Sequence, residues 1–206
     1  MGDFNRDYAG TARVKNECGR RAEFEIEMGG RGHSQFVGSA GQYHVAYCLT
    51  VRGIHAAITL GNVPHVDIVA ANSDGSKVLA IQVKTARWAH CSNRYGFELR
   101  EWDVGGGAVG RSSLSLWYAF VDLQEDGDAR KPVVFLVPSL WVGNFVQESW
   151  SRKRYMLRSM LWPECEERWD KVTAFFDGRK EVLDWCNSIP EDAKDWIPPG
   201  TNRESV

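Results

Sequence analysis

No stretch of the chain approaches the roughly 20 consecutive apolar residues that a helix needs to cross a bilayer, so no membrane-spanning helix is expected. The opening residues, MGDFNRDYAG, lack the apolar core of a signal peptide. Cysteines paired or grouped for chemistry are lacking. Cys18, Cys48, Cys91, Cys165 and Cys186 are odd in number, and no CxxC pair occurs. That argues against a disulfide framework and a zinc site, and for reduced thiols in the cytoplasm. An excess of charge of either sign is also lacking. The formal net charge is -2, so any nucleic-acid surface has to be local. G-x-S-x-G is absent, and VGGGAVG (104–110) lacks the Lys and Ser/Thr of a phosphate-binding P-loop, so it reads as a plain loop. The five histidines show no metal-ligand spacing, although His65, two residues before Asp67, falls on the same face of a strand drawn through both. There are no repeats and no low-complexity tract.

What is present is ordinary globular material with an unusual supply of indole. The 206 residues are 43% apolar and 25% charged and include nine tryptophans, enough for a sizeable core. The composition divides the chain into an N-terminal extension (1–35), a main domain (36–178) and a C-terminal helix and tail (179–206). Within the extension, AEFEIEM alternates Phe24, Ile26 and Met28 with three glutamates, the period of a short strand, and MGGRGHSQF (28–36) reads as a glycine-rich link. SAGQYHVAYCLTVRG (39–53) reads as a helix, with Ser39 and Gln42 spaced as a capping box and Gly53 at the end. Strands follow at 54–60, 65–71 and 77–85, the last two joined by the turn NSDG. LSLWYAFVDL (114–123) and PVVFLVPSL (132–140) form a second hairpin, with a further strand near Phe97. WVGNFVQESW and the residues after it are expected to be helical, as is CEERWDKVTAFFDGRKEVLDWC. Trp117, Tyr118, Phe120, Phe135 and Trp141 are expected in the core.

One strand carries a chemical anomaly. In KVLAIQVKT, Leu79, Ile81 and Val83 share the core face, which leaves Gln82 and Lys84 together on the other. In a hairpin closed by NSDG, paired residue numbers sum to 147 or 149. Asp67 then faces Ala80 or Gln82, and in either register it joins the Gln82–Lys84 side. The plain reading is a cross-strand Asp67–Lys84 ion pair. The functional reading is a carboxylate and an amide able to hold a hard cation such as Mg²⁺, beside an ammonium that can orient a water or stabilise charge on a phosphate.

The order of these segments resembles the PD-(D/E)xK nuclease superfamily. The helix GSAGQYHVAYCLTVRG, the Asp-bearing NVPHVDIVAANSDG and then KVLAIQVKT are similar to a bacterial subgroup whose last motif reads Gln-x-Lys, as IQVKT. The likeness is densest over 38–86, continues weakly through LWYAFVDL and FLVPSLWVGNFV towards 170, and leaves the first 35 residues unmatched. It implies an α/β restriction-endonuclease-like core, a central mixed β-sheet flanked by helices. It also implies an Mg²⁺-dependent endonuclease (Mn²⁺ being an alternative ion) that hydrolyses phosphodiester bonds in DNA. By that likeness Asp67 is the metal-binding Asp, Gln82 takes the place of its Glu, and Lys84 is the catalytic Lys. Gln42 stands where many members carry a helix Glu. This departure leaves one formal carboxylate, with Glu27 or Glu98 as conceivable substitutes, and Gln42 has two readings, cap or ligand. The alternative reading is a nuclease-fold module that binds DNA or a protein partner without cutting. DNA is the implied partner, with a homodimer allowed and no membrane. Arg87, Trp88 and Arg94, just after the Lys strand, are candidates for phosphate and base contacts, against a plain reading as surface cations with one packed indole. SRKRYMLR (151–158) reads as a phosphate-binding or a solvated helix face.

Overall fold

The computed structural model of the chain describes residues 31–60, 65–92, 98–105, 108, 110–124, 131–149, 152–158 and 162–188. The first element is α1, Arg31–Thr50. It is followed by β1 (His55–Ile58), β2 (Ile68–Ala71), β3 (Val78–Ala86), β4 (His90–Ser92), β5 (Glu98–Asp103), β6 (Leu116–Asp122) and β7 (Val133–Pro138). Then come α2 (Ser139–Phe145), β8 (Gln147–Ser149), β9 (Arg152–Arg158), α3 (Trp162–Cys165), α4 (Trp169–Asp177) and α5 (Lys180–Asn187).

Five strands form a mixed sheet in the order β1-β2-β3-β6-β7. Among the described residues only the β3–β6 pair of this sheet is parallel. That is expected when the connection is long enough to cross over, whereas the short NSDG turn enforces an antiparallel β2–β3 hairpin. The turn is held by Asn72, whose side-chain oxygen accepts the Lys77 N–H at 2.9 Å, and by Gly75 at φ 71°. Strand β6 and the edge strand β7 are buried almost throughout, as strands covered on both faces must be.

Helices cover one face. Trp117 of β6 meets Phe175 of α4 and Trp185 of α5 edge-on, with ring centroids 5.9 and 5.3 Å apart. The opposite face is covered by a second, four-stranded antiparallel sheet in the order β4-β5-β9-β8. Trp102 of β5 packs on Phe120 and Phe135 at 5.1 and 5.6 Å, and its indole N–H donates to the Val121 carbonyl. The five aromatics assigned to the core are all buried. Cys48, Cys165 and Cys186 are buried free thiols, and burial pushes the latter two up to about 12. Among the described residues no helix is long and apolar enough to cross a membrane.

Several expectations need correction. The first helix starts at Arg31, inside the stretch read as a link, so Ser39 lies within it and cannot cap it. Its end conforms better. Gly53 has φ 75°, its N–H reaches the Thr50 carbonyl, and the Ile54 N–H reaches that of Leu49. This paired bonding is the Schellman arrangement that a left-handed glycine permits. The strand expected from His65 starts at Ile68, because His65 has φ 71° and bends the chain. The helix expected after Trp141 stops at Phe145. SRKRYMLR is mostly strand β9, which pairs with β5. An exposed-looking basic segment was thus drawn into a sheet by a partner some fifty residues away in sequence, information that local propensity does not carry. The long C-terminal helix breaks at Gly178, φ 72°, into α4 and α5. AEFEIEM lies outside the described residues.

Candidate active site

Asp67 sits immediately before β2 and is fixed by its backbone. Its N–H donates to the Ile81 carbonyl at 3.0 Å, and its own carbonyl accepts the Thr59 N–H at 2.9 Å. The observed β2–β3 register pairs Ile68 with Ile81, so numbers sum to 149; it ends there, and just beyond it the Asp67 carboxylate meets the Gln82 side chain. Of the two sequence registers, the wider turn is the one adopted. Leu79, Ile81 and Val83 are buried, while Ala80, Gln82 and Lys84 are half-buried on the other side.

Three donors converge on the Asp67 carboxylate. Gln42 of α1 donates its side-chain N–H to Oδ1 at 3.1 Å. Gln82 donates its carboxamide N–H to Oδ2. The Val83 backbone N–H reaches the same oxygen at 2.8 Å. Gln42 therefore serves the carboxylate rather than a helix cap. Burial pushes the Asp67 carboxyl above the usual carboxylate range, against the opposing pull of the Val83 N–H, the nearby Lys84 ammonium and the Gln42 amide. The Asp67–Lys84 ion pair of the plain reading is replaced by amide hydrogen bonds, with Lys84 acting on the carboxylate through space.

What brings Gln42 within reach is its neighbour. Gly41 lies so close to Thr85 of β3 that an added Cβ would sit 1.9 Å from Thr85 Oγ1. Helix and strand thus cross at van der Waals contact of backbone against side chain. The next helical residue consequently hangs over the end of β2, where Asp67 is. Sequence reasoning missed both this contact and the Val83 donor. The signal for the first was present, as a glycine in the middle of a helix calls for a packing reason.

Beyond Lys84, Arg87 and Trp88 are exposed, Trp88 by 46%. The Trp88 ring stands 6.0 Å from that of His90. Arg94 and Glu27 lie outside the described residues, and Glu98 is on β5 in the second sheet. The segment carrying Arg87 and Trp88 is tied to the end of β6, where the Ala89 N–H donates to buried Asp122 at 3.2 Å. Asp122 also faces Arg100 of β5, Oδ2 to Nε 3.5 Å. The Arg100 guanidinium lies over the rings of Phe135 and Trp162 at 4.8 and 4.6 Å. This charge pair was not anticipated. It fastens the second sheet to the first beside the candidate site.

Among the described residues no three His, Cys, Asp or Glu side chains cluster to hold a metal. A hard dication is nevertheless held elsewhere by one or two carboxylates, with water and substrate phosphate completing its shell. Asp67 offers one carboxylate, and the carboxamides of Gln42 and Gln82, once turned over, offer neutral oxygens. The donor types fit Mg²⁺ or Mn²⁺. The orientation seen, with amide N–H groups aimed at the carboxylate, is the one that suits the carboxylate alone.

No protein-family model matches the chain. No curated protein matches it either. The solved structures it is similar to include two nucleases. One is a bacterial homing endonuclease, I-Ssp6803I, at 15% identity and a TM-score of 0.49, covering 75% of this chain and 99% of that one. The other is Hjc of Archaeoglobus fulgidus, a Holliday junction resolvase from an archaeal hyperthermophile. It has 16% identity and a TM-score of 0.41, and the match covers 66% of this chain and 95% of that one.

Proposed function

We propose that this chain is a divalent-metal-dependent endonuclease acting on DNA, with its reacting centre at Asp67. The observation that carries the reading is the convergence of Gln42, Gln82 and the Val83 N–H on one half-buried carboxylate beside Lys84. A simple surface ion pair would not recruit two amides from separate elements, since exposed pairs contribute little to stability. The order of motifs along the chain, similar to that of the PD-(D/E)xK superfamily, supports the same reading.

In this reading Asp67 would hold the cation, with the amide oxygens of Gln42 and Gln82 as neutral ligands. A bound dication supplies Lewis acidity towards a phosphodiester oxygen and a lowered pKa for the attacking water. Lys84 stabilises the negative charge that builds on the phosphate and orients the nucleophile. Arg87 meets the nucleic-acid backbone and Trp88 stacks against a base or sugar.

The second reading, a module that grasps DNA without cutting it, is favoured by one observation. A single carboxylate bonded on both oxygens by amide donors is a weak cation trap. One experiment separates the two. Purified protein is incubated with supercoiled plasmid and Mg²⁺ or Mn²⁺, beside Asp67→Ala and Lys84→Ala. Metal-dependent nicking that both substitutions abolish supports the nuclease. Plasmid retention in a gel shift with no nicking supports the binder. Neither nicking nor retention rejects both.

A further inference from the structure

The outward face of α1 is wrong for water. Phe36, Tyr43, Tyr47 and Val51 follow one another at spacings of seven, four and four, which places them in one stripe. They are 66, 69, 64 and 59% exposed. The opposite side of the same helix buries Val45, Cys48 and Leu49. Solvent-facing helix surfaces ordinarily carry charged residues, yet Arg31 is the only charged residue between 31 and 50. A helix apolar on its core side and uncharged, aromatic and open on the other has the pattern of an element covered on both sides.

We propose that this stripe is the interface of a homodimer, formed by α1 against α1 of a second copy about a two-fold axis. Area supports that occupant. Three rings, each able to bury about 150–250 Å² and each left about two-thirds open, offer roughly 300–500 Å² per copy. Two copies approach the ~1,000 Å² of a specific interface before Val51, Ala40 and the rim are added. Charge supports it as well. The face is uncharged and therefore complementary to itself, whereas residues 1–30 carry eleven charged side chains that would have to be kept off it. Antiparallel two-fold pairing sets Tyr43 against Tyr47 of the partner subunit, so the two central rings of each copy find a ring.

The test is the mass of the full chain in solution by sedimentation equilibrium, from about 1 to 100 µM. The wild type is expected at twice the chain mass. Tyr43→Glu/Tyr47→Glu should weaken association by at least about 100-fold and leave a monomer, as removal of central aromatic anchors does. Its far-UV circular dichroism should be unchanged, because both rings are exposed. Leu60→Glu, at a residue 93% exposed and off the stripe, should remain dimeric. A wild-type monomer at 100 µM overturns the proposal, whether residues 1–30 or nothing covers the face. A dimer that survives the double substitution overturns it too. Neither readout depends on nuclease activity.

Discussion

Gly41→Ala should disable the site without touching any group in it. The new Cβ would lie 1.9 Å from Thr85 Oγ1 and 2.9 Å from both Thr85 Cβ and Cγ2. Relaxed contact between such atoms is about 3.5–4 Å, so helix and strand must part by roughly 1.5 Å. The Gln42–Asp67 bond, at 3.1 Å, is lost by a movement of that size. Overpacking costs about 1–3 kcal/mol, and alanine in a helix interior returns about 1 kcal/mol over glycine. The expected net loss is about 0–2 kcal/mol, a fall in Tm of up to ~8 °C for a chain of this size. The loss of plasmid nicking should be far larger in proportion, about 100-fold, since misplacement by ~1 Å has that effect on a positioned group. Thr85→Ala removes Oγ1 and Cγ2, so Gly41→Ala/Thr85→Ala should recover much of both quantities. The double-mutant cycle, run in Tm and in nicking rate, measures the coupling directly. Wild-type nicking and Tm in Gly41→Ala would refute the reasoning, as would a double variant no better than the single.

Because burial raises the Asp67 carboxyl, the folded state holds its proton to higher pH than the unfolded chain does. The stability linked to that proton is full below the ordinary carboxylate value, about 3.9, and declines as pH rises through the elevated folded value. Asp67→Asn should remove this decline from a denaturation series, and the acidic limb of the wild-type pH–rate profile should lie above the ordinary carboxylate range. Gln42→Glu restores a second carboxylate. It should strengthen Mg²⁺ binding and enlarge the rise in Tm on adding Mg²⁺, while lowering Tm without metal through repulsion with Asp67; titration calorimetry and melting curves read both. Arg100→Leu strands the buried Asp122 carboxylate and should cost about 3–5 kcal/mol in urea denaturation, part of which Arg100→Leu/Asp122→Asn should recover.

Reading the sequence worked where the information is local. Alternation along 77–85 separates Leu79, Ile81 and Val83 from Gln82 and Lys84, and the NSDG turn limits the pairing to two registers that both bring Asp67 to the polar side. It failed where a distant partner decides. The basic segment 152–158 looks like a helix face until β5 is available to pair with it. Gln42 looks like a cap until the helix is known to begin eight residues before Ser39.

By itself, then, the sequence determined that the Gln82 amide and the Lys84 ammonium share one side of β3, because side-chain direction in a strand depends only on residue parity. The tertiary structure decided the rest. Contact between Gly41 and Thr85 swings Gln42 onto Asp67, and that crossing, like the packing of the second sheet across Phe120 and Phe135, depends on surfaces far apart in the chain meeting in space.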